Sequence, residues 1–190
     1  MTDGSLRSGD PAGLGALRIE SLPDPLPAAD LSRLCALLAE CVRAGASIGF
    51  VEPLSQAEVE AYWNRVCREA AAGNRLVLVA RGAAGGPVAG SAQLAFESKA
   101  NGRHRAEVQK VMVFPEHRRK GIASALMSAV EDAARARKVS LLHLDTSDGR
   151  GGARDFYSAL GYRYVGGIPG FAVDPDGTPA KNAIYYKALN

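Results

Sequence analysis

A chain of 190 residues is long enough to bury a full core in one domain without help from disulfides or metal. Its composition, 47% hydrophobic and 23% charged, excludes a largely disordered protein, and no apolar run approaches the roughly 18 residues of a membrane-spanning helix. Basic residues exceed acidic ones by 23 to 20, a net charge of +3, and they are mixed along the chain without the basic stripe of a nucleic-acid binder.

Residues 1–15 are rich in Gly, Ser, Asp and Pro and are predicted to form a loose tail. They lack the hydrophobic segment of a signal peptide, so a cytoplasmic protein is expected. Residues 16–190 read as a single domain. Leu17–Leu22 alternates weakly and is predicted as a first strand, punctuated by Pro23, Pro25 and Pro27. Asp30 is in position to cap a helix over Leu31–Arg43, with Leu34, Leu37 and Leu38 on one face. After the turn-rich Gly45–Gly49, Ser55 and Glu58 have capping-box spacing. The helix behind them carries Val59, Tyr62, Trp63, Val66 and Cys67 at helical intervals and stops near Gly73.

The period then changes. Arg75–Arg81 and Val88–Phe96 are predicted strands joined by a turn over Ala83–Gly86, and Arg105–Phe114 is a third. Pro115–Lys120 is a short polar loop. Gly121–Arg137 is a helix with Ile122, Leu126, Val130, Ala133 and Ala134 on one face, and Val139–Asp145 is a short apolar strand. Gly151 and Gly152 lead into a helix that ends at Leu160. Tyr162–Ile168 and Ala183–Lys187 are closing strands, with a strong turn signal at Asp174–Gly177 between them. A meander followed by a β-α-β crossover predicts an α/β (α+β) fold, a twisted mixed sheet with helices on both faces.

Three cysteines, Cys35, Cys41 and Cys67, make an odd count with no CxxC, and reduced core thiols are expected. The histidines are scattered and suggest no metal site. His104 and His117 read as surface groups, His143 as a core residue in an apolar strand.

The segment Arg118-Arg119-Lys120-Gly121-Ile122-Ala123 lies between a strand and an amphipathic helix. Such a junction points unpaired backbone N–H groups outward, and the helix dipole adds roughly half a positive charge. Gly121 lets a phosphate approach the backbone, Ala123 keeps the first turn open, and Arg118, Arg119 and Lys120 add charge at the rim. Alone the hexamer would be an ordinary basic loop. It is neither a GxxxxGK[ST] loop nor a GxGxxG turn, so a pyrophosphate ligand of a third type is implied.

Arg118-x-x-Gly121-x-Ala123, preceded by Val111-Met112-Val113 and followed by Phe156-Tyr157-x-x-Leu160-Gly161-Tyr162, resembles the acetyl-CoA site of the GCN5-related N-acetyltransferases. The resemblance covers about residues 17–188 and implies that fold, an acetyltransferase, and acetyl-CoA as cosubstrate without a metal. It implies that the cosubstrate is held by Val111, Met112 and Val113, by Arg118, Arg119, Lys120, Gly121, Ile122, Ala123 and Ser124, and by Tyr157. Many members carry an Asn after the fifth strand, where this chain has Thr146-Ser147-Asp148-Gly149. The stretches Gly45–Phe50, Arg105–Lys110, Leu141–Thr146, Phe156–Leu160 and Ile184–Lys187 are similar to the tabtoxin-resistance acetyltransferases. That similarity implies acetylation of a hydroxyl or amine on a small, polar, amino-acid-like toxin such as tabtoxinine-β-lactam. Two other readings stand beside it: acetylation of an ordinary amine (an amino acid, polyamine or protein N-terminus), and a non-catalytic acyl-CoA-binding module. A small-molecule acceptor is implied, with no nucleic-acid or membrane partner and with room for a homodimer through a sheet edge.

Acetyl transfer from a thioester requires a deprotonated nucleophile, a stabilised oxyanion and a proton for the departing thiolate. The resemblance gives Tyr157 the last role; without it, a half-buried packing tyrosine is the plainer reading. Glu107, early in its strand, and Asp145, at the end of its own, would both approach the cleft at the carboxyl ends of parallel strands. Each reads equally as a base or holder for the acceptor or, for Glu107, as a solvent-facing carboxylate and, for Asp145, as a turn residue. No cysteine stands near the motif strands, so direct attack on the thioester is expected rather than an acetyl-cysteine. Phe50, Tyr62 and Trp63 are candidates for the acceptor side, Trp63 having the stronger claim to the core.

Overall fold

A computed structural model describes residues 17–82, 85–148 and 152–189. The expected tail over 1–15, part of the turn at Ala83–Gly86, and Gly149 and Gly151 lie outside the described residues. In chain order the elements are β1 (Arg18–Ser21), α1 (Ala28–Arg43), α2 (Gln56–Ala71), β2 (Arg75–Arg81), β3 (Val88–Phe96), β4 (Arg105–Val113), α3 (Ile122–Ala136), β5 (Leu141–Ser147), α4 (Ala153–Ala159), β6 (Arg163–Gly166), β7 (Ala172–Val173), β8 (Pro179–Ala180) and β9 (Asn182–Ala188). Seven strands form one sheet in the order β1-β2-β3-β4-β5-β9-β6. Only β4 and β5 run parallel, joined through α3; every other neighbouring pair is antiparallel.

The apolar run of β2 is continuous because both of its faces are covered. Leu78 and Ala80 enter a core under α3 with Leu94, Val108, Leu126 and Val130. Val77 and Val79 face the other way, into a core with Leu34, Leu38, Trp63 and Phe114 under α1 and α2. The second of these helices starts on the expected capping box, in which the Ser55 hydroxyl accepts from the Glu58 N–H and the Glu58 carboxylate accepts from the Ser55 N–H.

Three expectations are corrected. Asp30 does not cap α1, which begins at Ala28 with Pro27 at its N-cap. The Asp30 carboxylate instead takes a bidentate pair from the Arg81 guanidinium, at 2.9 Å to Nη1 and 2.6 Å to Nη2, because a cation at 8% exposure needs a charged partner. The strand expected over Val139–Asp145 lies two residues later. Lys138 is left-handed (φ 60°) and the Val139 N–H returns to the Ala134 carbonyl at 3.0 Å, so Val139 closes α3. Asp145 is therefore inside β5 and not at its end. The turn at Asp174–Gly177 joins β7 to β8 in a separate two-stranded ribbon, whose two-residue strands are too short to leave an alternating pattern.

Candidate active site

The cleft arises from a failure of pairing in the middle of the sheet. Strands β4 and β5 are hydrogen-bonded neighbours only over Arg105–Leu141, Ala106–Leu142 and Glu107–His143. Beyond these pairs β4 stays with β3 to Val113 and β5 stays with β9 to Ser147, so the two strands part. A β-bulge marks the parting. Pairing steps from Gln93–Gln109 to Ser91–Met112, which leaves one extra residue on β4, and Lys110 there has φ 50°. The bulge also reverses the faces: Val108 joins the core under α3, whereas Met112 joins the core under α1 and α2.

A cleft of about 1000 Å³ fills the gap. Val111, Met112 and Val113 line it from β4, whose β5-facing edge is unpaired here, and Thr146 and Ser147 line it from β5. Its other end lies at the start of α3, where Arg118, Arg119, Gly121, Ile122, Ala123 and Ser124 contribute. Gly121 is the N-cap at φ 79°, with nothing within 4 Å of where a Cβ would stand. The N–H groups of Ile122, Ala123 and Ser124 have no acceptor among the described residues. Unpaired donors at the positive end of a helix dipole, with no side chain in front of them, suit a pyrophosphate. An open strand edge suits the amide-bearing arm of acetyl-CoA. The residues present therefore fit that cosubstrate.

The basic residues of the loop behave unequally. Arg118 turns back: its Nε donates to the Val113 carbonyl at 3.3 Å and its Nη2 lies 3.9 Å from Cys41 Sγ. Lys120 does not line the cleft. Arg119 does, from a left-handed residue at φ 59°.

Tyr157, on α4, lines the cleft and is 8% exposed. Its ring packs against Phe156, Tyr162 and Tyr185 at 5.1, 5.8 and 5.6 Å between centroids. Its hydroxyl has no hydrogen-bond partner among the described residues. Burial pushes its pKa up to about 12, helped by the charge of Asp145, so the phenol stays protonated at neutral pH. Glu107 sits where β4 and β5 part and not at the carboxyl end of β4, which is Val113. Asp145 is exposed, two residues beyond the Glu107–His143 pair and on the same face as His143. His143 is half-buried on that face and is not the core residue expected, since the inward positions of β5 belong to Leu142 and Leu144.

Other residues at the site gave no signal in the sequence. Cys41 lines the cleft, with its thiol donating to the Val113 carbonyl at 3.6 Å, so a cysteine does stand beside the motif strand. Burial raises its pKa and holds it as a thiol. His117, expected at the surface, is half-buried against the cleft. Beside the cleft a second recess of about 560 Å³ is lined by Gly49, Phe50, Tyr62, Arg65 and Val173. Lys110 reaches its wall, with Nζ 5.7 Å from the centre of the Tyr62 ring. Trp63 is fully buried in the core. Among the described residues no three His, Cys, Asp or Glu side chains gather as a metal site, and no helix is long and apolar enough to cross a membrane.

Comparison with known proteins agrees with this geometry. The chain is 35% identical over 127 residues to an N-acetyltransferase of the hisH–hisA intergenic region of Azospirillum brasilense, covering 66% of this chain and 73% of that one. Its fold is similar to an N-acetyltransferase from Staphylococcus aureus Mu50 (TM-score 0.75, 18% identity, 93% of this chain and 100% of that one). It is also similar to yncA, an acetyltransferase from Salmonella typhimurium solved with its cofactor acetyl-CoA (TM-score 0.74, 20% identity, 93% and 95%). The acetyltransferase (GNAT) family model matches residues 34–162, and with the parted strands and the open helix start between them, the chain belongs to that family.

Proposed function

We propose that this acetyltransferase moves the acetyl group of acetyl-CoA directly to a hydroxyl or amine of a small polar acceptor, with a tabtoxinine-β-lactam-like toxin as the leading candidate. Residues 16–190 act as one catalytic domain. The parting of β4 and β5 in front of α3 carries the reading, because it leaves a strand edge and a helix start open to the same cleft.

Acetyl-CoA supplies the thioester whose acetyl carbon the acceptor attacks. The N–H groups of Ile122, Ala123 and Ser124 bind the pyrophosphate, Gly121 leaves it room, and Arg119 adds charge. Backbone groups of Val111–Val113 align the pantetheine arm along the open edge of β4. Glu107 or Asp145 takes the proton from the attacking oxygen or nitrogen as the new bond to the acetyl carbon forms. Tyr157 gives its phenolic proton to the sulfur as the carbon–sulfur bond breaks; burial, which raises its pKa to about 12, ensures that the proton is present at neutral pH. A hydroxyl acceptor depends on the base more than an amine does, since its own pKa lies far above 7.

The test is release of free CoA from acetyl-CoA against tabtoxinine-β-lactam, free amino acids, polyamines and aminoglycosides. Turnover concentrated on the β-lactam supports the toxin acceptor. Turnover with ordinary amines and none with the β-lactam overturns that acceptor and keeps the enzyme. Failure to bind acetyl-CoA overturns the assignment of the cleft.

A further inference from the structure

Lys110 has no role in the proton transfers above. It nevertheless occupies the most conspicuous backbone position in the sheet, the extra residue of the β4 bulge, at φ 50°. A left-handed lysine costs on the order of 1–2 kcal/mol, and such strain persists where the surroundings impose it. The conformation turns the ammonium toward α2 and the loop before it. Its Nζ lies 5.7 Å from the centre of the Tyr62 ring and 3.6 Å from where a Cβ on Gly49 would stand. Both residues wall the 560 Å³ recess, together with Arg65.

Among the described residues Lys110 makes no hydrogen bond and no ion pair. The charges that act on it are the carboxylates of Glu107 and Asp145, from β4 and β5, and the guanidinium groups of Arg75 and Arg65, from β2 and α2. Arg75 is already committed. It pairs with Glu69 at 2.6 Å and donates to the Gln93 and Gln109 side-chain oxygens at 2.7 Å each. Tyr62 donates to the same Gln93 oxygen at 3.0 Å. This half-buried polar layer fixes Tyr62 and the base of the recess and leaves Lys110 and Arg65 as the cations able to turn to a ligand. Arg65 is 61% exposed at its side chain, and its contact with Glu69 is long, at 3.8 Å.

Lys110 and Arg65 thus bring positive charge to a recess walled by Tyr62 and Gly49, whereas Glu107 and Asp145 line neither this recess nor the larger cleft. Two cations at a recess beside the cleft suit an anionic group on the acceptor, such as a carboxylate. We infer that Lys110, assisted by Arg65, is the specificity residue that holds a carboxylate of an amino-acid-like acceptor. The inference rests on the acetyltransfer reading above and deepens it. Burial first, and then the charge of Arg75, lowers the Lys110 pKa from the usual lysine value, and an ammonium stripped of water beside the Tyr62 ring gains from an anion that arrives with the substrate.

The experiment compares acceptors that differ only in that group: free amino acids and tabtoxinine-β-lactam, the carboxamides of the same amino acids, and polyamines. Wild type, Lys110→Met and Lys110→Arg are assayed by CoA release, with acetyl-CoA binding measured separately. Turnover confined to carboxylate-bearing acceptors is expected. Lys110→Met should raise the acceptor KM by roughly 10- to 100-fold, the size of a lost charged hydrogen bond, and Lys110→Arg should recover most of it. The KM for acetyl-CoA should stay as it was, which separates a lost anchor from a damaged fold. Three results overturn the inference: carboxamides or polyamines used as well as the acids, an acceptor KM unmoved by Lys110→Met, or no turnover of any carboxylate-bearing acceptor by an enzyme that still binds acetyl-CoA. Loss of acetyl-CoA binding in the wild type overturns the underlying reading instead.

Discussion

Glu107 and His143 are the last residues paired across β4 and β5, so the Glu107 carboxylate stands where the strands part. Asp145 lies two residues further along β5 on the same face. The two carboxylates thus stand on different strands, and isosteric amides separate the roles proposed for them. Glu107→Gln and Asp145→Asn should differ in kcat/KM, with the residue that takes the proton losing roughly 10²- to 10⁴-fold and the other losing less. Equal, small losses in both variants would remove the carboxylates from the chemistry.

Tyr157→Phe deletes a hydroxyl that has no hydrogen-bond partner among the described residues, so its effect on stability should be small. Its effect on kcat should be large, roughly 10²-fold or more, with the affinity for acetyl-CoA nearly unchanged. Because the phenol titrates near 12, wild-type activity should show no alkaline loss from this group below about pH 11. An alkaline limb near pH 10 that disappears in the phenylalanine variant would contradict the buried, neutral phenol.

Alkaline stability offers an independent check on the same packing. Burial raises Tyr62 to about 12 and Tyr157 to about 12, and raises Tyr162 further, aided by Glu131. In the unfolded chain each returns to about 10. Between pH 10 and 12 the folded protein therefore holds more protons than the unfolded one. The stabilisation is complete below pH 10 and lost as the pH rises through 12, by up to about 1.4 kcal/mol per pH unit for each tyrosine. Urea midpoints measured from pH 9 to 11.5 should fall steeply above 10, and Tyr62→Phe should flatten the fall. Lys110, shifted downward, acts in the opposite sense and below the ordinary lysine pKa of 10.5. A flat profile across that window would mean that the phenols are not buried as described.

The pieces of the site that were legible in the sequence are those with local signatures. The bounds of β2 and β3 follow from apolar runs between turn residues, the Ser55–Glu58 box from its spacing, and the loop at Gly121 from a basic segment before an amphipathic helix. Pairing is not local. Nothing in Gln109-Lys110-Val111 announces a bulge, because the extra residue is defined only by its partner strand, and with it the face taken by Met112 and the aim of Lys110 were hidden. Asp30 misled for a related reason. Its position suits a helix cap, but Arg81, fifty-one residues away, claims it. Cys41 reaches the cleft through the packing of α1 on β4, which no spacing within α1 records.

Gly121 permits a test of the cradle that does not depend on knowing the acceptor. It is left-handed, and open space surrounds the position of an added Cβ, so Gly121→Ala should cost about 1–2 kcal/mol of conformational strain without a clash. The methyl would take up space that the glycine leaves open at the start of α3, and acetyl-CoA should bind roughly 10-fold more weakly, the equivalent of one displaced hydrogen bond. Gly121→Asp tolerates the left-handed backbone better and places a carboxylate at the positive end of α3, so it should harm the fold less than alanine does. It should harm acetyl-CoA binding more, through repulsion of the phosphates that weakens as salt is raised. Stability loss and binding loss would thus rank the two variants in opposite orders. If both variants bound acetyl-CoA as tightly as wild type, Gly121 would serve only to start the helix, and the pyrophosphate would have to sit elsewhere.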